Sequence, residues 1–159
     1  MFKYIRAFFV ALRYTLRGET MPSSVERQFP TLTAWLQQTE DQLRQVYQTA
    51  AAHNLDKSAR QQITIDAEGR QLNMETILSG LRFHITEEYP YMLKHLTAHS
   101  VTAIYAANMN DQFFVAKLAQ ADELPAPVQQ QIVALKAQLD SIPSSTEAQQ
   151  SVDNVHAAR

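Results

Sequence analysis

Apolar residues recur along this chain of 159 residues at three- and four-residue steps, the spacing of one helix face. In "TLTAWLQQTEDQLRQVYQTAAAHN" the series is Leu32, Trp35, Leu36, Leu43, Val46, Tyr47 and Ala50, with Thr39 in register. It predicts a long amphipathic helix, capped by Thr31 or Thr33 and ended by Asn54. A second stripe runs through Met74, Ile77, Leu78, Leu81 and Ile85. Asn73 suits its cap, and Glu75 is favourable in its first turn. Pro90 removes a donor and disfavours helical geometry at Tyr89, so a kink or a new helix is expected there. Over residues 91–121 nothing breaks the helix. Leu93, Leu96, Ile104, Phe113, Phe114 and Leu118 supply its apolar mass, and a shift of the stripe at "ANMND" makes Asn108 or Asn110 a candidate break. Pro125 and Pro127 mark a loop. Val128, Ile132, Leu135 and Leu139 predict a last helix that ends before Pro143.

Two stretches depart from this period. "ITIDAEGRQL" alternates like a strand, with Ile63 and Ile65 on one side and Gly69 able to turn the chain. A lone hairpin is marginal, so an ordered loop is the favoured reading over a short hairpin. "SSTEAQQSVDNVHAAR" is polar and without period, which predicts a disordered tail.

The opening, "MFKYIRAFFVALRYTLRG", is the most informative segment. At about 100° per residue, Lys3, Arg6, Arg13 and Arg17 fall within an arc of about 80°. Ile5, Phe8, Phe9, Leu12 and Leu16 fall on the opposite side, with Phe2 at the border. A membrane span needs about 20 apolar residues, whereas the longest uncharged run after Arg6 is residues 7–12. A secretory signal would have an unbroken apolar core and a small-residue cleavage site. A transit peptide would be rich in serine, and none precedes Ser23. The pattern fits a helix lying in a membrane interface, its apolar face among the acyl chains and its cations at anionic headgroups. The rival is a helix docked on its own bundle or on a partner protein. Met21 is an alternative start that would make the segment dispensable.

Composition narrows the classes. The three glycines, Gly18, Gly69 and Gly80, argue against a sheet-rich fold and against a glycine-rich phosphate loop. The absence of cysteine excludes disulfides, thiolate nucleophiles and cysteine-ligated metals. Net charge is −2, but the first twenty residues hold four cations and only Glu19, so the rest is acidic. A basic terminus on an acidic body suggests that the terminus has its own partner. The body has no basic patch to suggest nucleic acid.

One constellation carries candidate chemistry. "HITEEYPYMLKHLTAH" places His84 and Glu88 four apart, and His95 and His99 four apart, the spacing by which one helix face presents metal ligands. The pairs HxxxE and HxxxH resemble those of hemerythrin-like proteins, and the match covers residues 84–99. The resemblance implies a di-iron bundle, or another transition metal, held by His84, Glu88, His95 and His99. The chain departs from it in three ways. Glu88 and His95 are too close for two antiparallel helices, the further histidine of an earlier helix could only be His53, near a helix end, and the HxxxxD of a last helix is missing. The simpler reading has His84 bordering the core with Glu88 as a surface partner. A phosphorelay histidine would be followed by a lysine and a glycine that are absent after His95 and His99.

The sequence thus predicts an all-α protein, an antiparallel bundle of four to five helices with a protruding N-terminal amphipathic helix. Residues 1–18 form that helix, 19–30 a linker, 31–142 the bundle and 143–159 the tail. The expected role is a non-enzymatic accessory or scaffold protein without cofactor, cytoplasmic and peripherally membrane-associated. Its site is Phe2, Lys3, Ile5, Arg6, Phe8, Phe9, Leu12, Arg13, Leu16 and Arg17. The alternatives are the metal-binding bundle and a soluble oligomeric subunit whose first helix docks on a protein.

Overall fold

The computed structural model describes residues 29–55, 62–65, 70–95 and 98–144. The expected helix over residues 1–18, its linker and most of the tail lie outside the described residues. What is described is an all-α helical bundle with one small hairpin. Its elements are α1 (Pro30–Ala52), β1 (Gln62–Ile65), β2 (Arg70–Asn73), α2 (Met74–Phe83), a π-helical turn (His84–Glu88), α3 (Tyr89–Lys94), α4 (Ala98–Ala119) and α5 (Ala126–Asp140). No helix among the described residues is long and apolar enough to cross a membrane.

The stripes read from the sequence are the core. Leu32, Trp35, Leu36, Thr39, Leu43, Val46 and Ala50 are buried along α1, and Met74, Ile77, Leu78 and Leu81 along α2. Val128, Ile132, Leu135 and Leu139 are buried along α5, which packs against both α1 and α4. The bond from Gln112 Nε2 to Leu139 O and that from Gln129 Nε2 to Ala119 O set α4 and α5 antiparallel. Burying side chains of this size contributes about 1.5–3 kcal/mol each, before chain entropy is set against it.

Helix ends follow local chemistry. Asn73 caps α2, its Oδ1 accepting from the Thr76 N–H at 2.7 Å. Asn54 adopts a left-handed φ of 55° just past α1, a conformation asparagine tolerates better than most residues. The expected cap of α1 needs correction. Neither Thr31 nor Thr33 caps it: Phe29 is the cap residue, without a side-chain bond, and Pro30 opens the helix. Proline suits that position because its missing N–H would have no partner in the first turn.

Two further expectations are corrected and one is borne out. "QITI" and "RQLN" pair as an antiparallel hairpin, Ile63 opposite Leu72. The hairpin is not alone: β1 touches α4 and β2 touches α2, which gives it the packing an isolated hairpin lacks. At Pro90 the expectation holds: a new α-helix, α3, opens there with the proline in its first turn, although the helical backbone is not interrupted. Backbone helix runs from Met74 to Lys94, with the π turn lying just before Pro90. A proline there cannot donate to the Thr86 carbonyl and would crowd it in an α-helix. The wider π turn accommodates this, and Tyr89 N–H bonds to the His84 carbonyl, five residues back. The break falls later, between Lys94 and Ala98, while α4 passes unbroken through Asn108 and Asn110.

Candidate functional site

The π turn places the site. In an α-helix, residues five apart lie about 140° round the axis from one another. In a π turn the bond from residue i+5 back to residue i brings them to one face. His84 and Tyr89 therefore stack, ring centroids 6.1 Å apart and planes at 24°. Both reach Asp111, on α4. His84 Nδ1 lies 2.7 Å from Asp111 Oδ1, and the Tyr89 hydroxyl donates to Asp111 Oδ2 in a short bond. His84 Nε2, on the other side of the ring, lies 3.4 Å from Glu88 Oε2. Tyr89 also packs 6.3 Å from the Trp35 ring of α1, so the network ties α1, the π turn, α3 and α4 together.

The electrostatics follow from burial. Asp111 is 1% exposed. Burial pushes its carboxyl above the usual range, more than the bonds from Tyr89 and His84 pull it down. Burial likewise raises Tyr89, and the neighbouring Asp111 charge raises it further, so the phenol remains a donor across the physiological range. An ionised carboxylate at such a site depends on donors for its stability. His84 is partly exposed and connects the buried acid to the surface.

A cavity of about 190 Å³ adjoins this network. Leu72, Ile77, Leu81 and Phe114 form apolar walls, Gly80 and Thr76 lie along α2, and His84 and Asp111 supply the polar end. A second depression, about 450 Å³, lies between α1 and the π turn and is lined by Glu40, Leu43, Arg44, Tyr47, Arg82 and Thr86. Arg44 there is already paired with Glu40 at 2.8 Å.

The four metal candidates from the sequence are not brought together. His84 and Glu88 are neighbours. His95 ends α3 and its ring lies 4.4 Å from that of Tyr91. It lies eleven positions beyond His84, a rise of about 16 Å along the helix, too far for a shared ion. The side chain of His99 lies outside the described residues. The described residues hold no group of three or more histidine, cysteine, aspartate or glutamate side chains able to hold a metal.

Sequence reasoning missed Asp111 and Tyr89. The signal for Asp111 lay in "ANMND", where polar Asn108 and Asp111 replace apolar residues on an inward face; both are 1% exposed. The ten candidate membrane residues between Phe2 and Arg17 lie outside the described residues. The chain matches no family model, no curated protein and no solved structure.

Proposed function

We propose that the protein is a helical-bundle accessory or scaffold protein held peripherally on the cytoplasmic surface of a membrane by residues 2–17. The observation that carries this reading is the alignment of Lys3, Arg6, Arg13 and Arg17 opposite Ile5, Phe8, Phe9, Leu12 and Leu16. Each cation near an anionic surface contributes about 1 kcal/mol. The apolar face adds burial among the acyl chains.

Flotation with vesicles of phosphatidylcholine and phosphatidylserine tests it. The full chain is expected to float with the vesicles, less so as salt is raised, and a chain beginning at Met21 to stay behind. Equal behaviour of the two chains sinks the reading.

A further inference from the structure

α4 lacks the charged face that a surface helix ordinarily turns to water. From Thr102 to Gln120 its charged residues are Asp111 and Lys117, and Asp111 is buried. The bond from Gln112 Nε2 to Leu139 O marks the side of α4 that meets α5. Outward from Gln112, Met109 lies about 60° round the axis and Phe113 about 100°. They are 70% and 40% exposed, and Ala106 is exposed on the same face.

α5 continues this surface. Gln129, bonded to Ala119 O, marks its side toward α4. Val133 lies about 40° and Ala137 about 80° outward from Gln129. Both are exposed, Val133 to 53%. The antiparallel pairing through Gln112 and Gln129 sets Val133 beside Ala116. Three of the five large exposed apolar side chains of the described residues therefore share the outer face of the α4–α5 pair. Single exposed apolar residues are normal on a surface, whereas a contiguous patch marks an interface. Methionine and aromatic residues in a region depleted of charge are the composition of an interface core.

Charge, relief and area name the partner. Beyond its first twenty residues the chain is acidic, so two copies repel one another through most faces. On this face the acid is Asp140, already paired with Lys136. A two-fold axis sets a face against its own copy, which a near-neutral apolar face permits. The relief is also self-complementary: Met109, Phe113 and Val133 project, while Ala106, Ala116 and Ala137 leave hollows, and ridges pack into grooves. From Thr102 to Gln120 the face is about 27 Å long, and two helices abreast are about 20 Å wide. Two copies would bury about 1,000 Å² in total, the lower bound of a specific interface, which suits a reversible dimer.

We propose that two copies of this chain associate across a two-fold axis through the outer faces of α4 and α5, Met109, Phe113 and Val133 of each seated against the alanines of the other. The surface does not involve residues 2–17, and its test contains no lipid.

Sedimentation velocity of the full chain, from about 1 μM to about 500 μM, is expected to show a monomer–dimer equilibrium with a Kd of about 1–100 μM. Val133→Glu and Ala137→Glu each set an acid against its own copy, and each is expected to weaken the dimer at least about tenfold. Both positions are exposed, and a melting temperature equal to that of the parent monomer shows that lost association is not lost folding. Should one variant unfold, the other carries the test. Phe8→Ser is expected to leave the dimer unchanged. A monomer throughout the range overturns the proposal. So does association that a folded Val133→Glu or Ala137→Glu chain retains in full, association that Phe8→Ser abolishes, which would assign it to residues 2–17, or growth beyond two copies.

Discussion

His84 and Tyr89, five positions apart on one continuous helix, approach opposite oxygens of the same buried carboxylate, Asp111. This convergence depends on the π turn, because α-helical geometry would aim the two side chains about 140° apart. Pro90 and the network act in the same direction. The proline disfavours the α-type bond to Thr86, and Asp111 holds the two rings that only the wider turn can align. A π turn is a frequent setting for a functional site.

Removing the Tyr89 hydroxyl tests how far that carboxylate relies on its donors. Tyr89→Phe keeps the ring against Trp35 but leaves Asp111 Oδ2 without its donor. Loss of one bond to a buried charged group costs about 1–3 kcal/mol. Urea denaturation at neutral pH is expected to show that loss as a lower midpoint with an unchanged slope. A midpoint equal to that of the parent chain would mean that water reaches Asp111 and replaces the phenol.

Most of the bundle was legible because helical burial writes a 3.6-residue period into the sequence. The stripes of α1, α2 and α5 are the buried residues, and Asn73 is the cap the sequence predicts. The hairpin reads as marginal until contacts the local rule does not count, from α2 and α4, support it. The site was legible only in halves. His84 and Glu88 show as an i,i+4 pair, but Tyr89 is off their face by α-helical counting, and Asp111 is 27 residues from His84. Phe113, counted in the apolar mass of α4, is exposed, with the Lys117 ammonium over its ring at 5.6 Å.

Gly80 offers a prediction about stability. Its helix carries the entropic cost of glycine, and the space above it is open. Gly80→Ala is therefore expected to stabilise the protein by about 0.5–1 kcal/mol. Thermal or urea denaturation measures this. A destabilised Gly80→Ala chain would show that neighbouring side chains close over Gly80 in solution.

α1 and α5 are clasped by reciprocal bonds. The Trp35 indole donates to Gln138 O at 2.9 Å, and Gln138 Nε2 donates to both Trp35 O and Thr39 Oγ1 at 3.3 Å. Thr39 Oγ1 itself donates to Trp35 O at 2.7 Å. Gln138→Ala is expected to cost about 1 kcal/mol. Thr39→Val should cost less than its burial suggests, since its strongest bond is to a carbonyl of its own helix. The double variant should lose less than the two single losses together, because they share one bond. Full additivity in denaturation would show that the Gln138–Thr39 bond contributes nothing.

The pH dependence of stability provides a test of Asp111 with a definite sign. Burial holds its folded pKa above the free value of 3.8. The folded chain therefore binds this proton more tightly than the unfolded one, and the group's contribution is fully present below the unfolded pKa. It is lost as pH rises through the folded pKa. Comparison with Asp111→Asn isolates this group, because asparagine keeps the shape and does not titrate. On lowering pH from neutrality through about 4, the stability of the parent is expected to rise relative to Asp111→Asn. Glu88 works in the same direction, since its charge also raises Asp111, whereas His84 and Tyr89 oppose it. A difference that stays flat with pH, or falls in acid, would mean that His84 and Tyr89 together outweigh burial and that the carboxylate is fully stabilised in its ionised form.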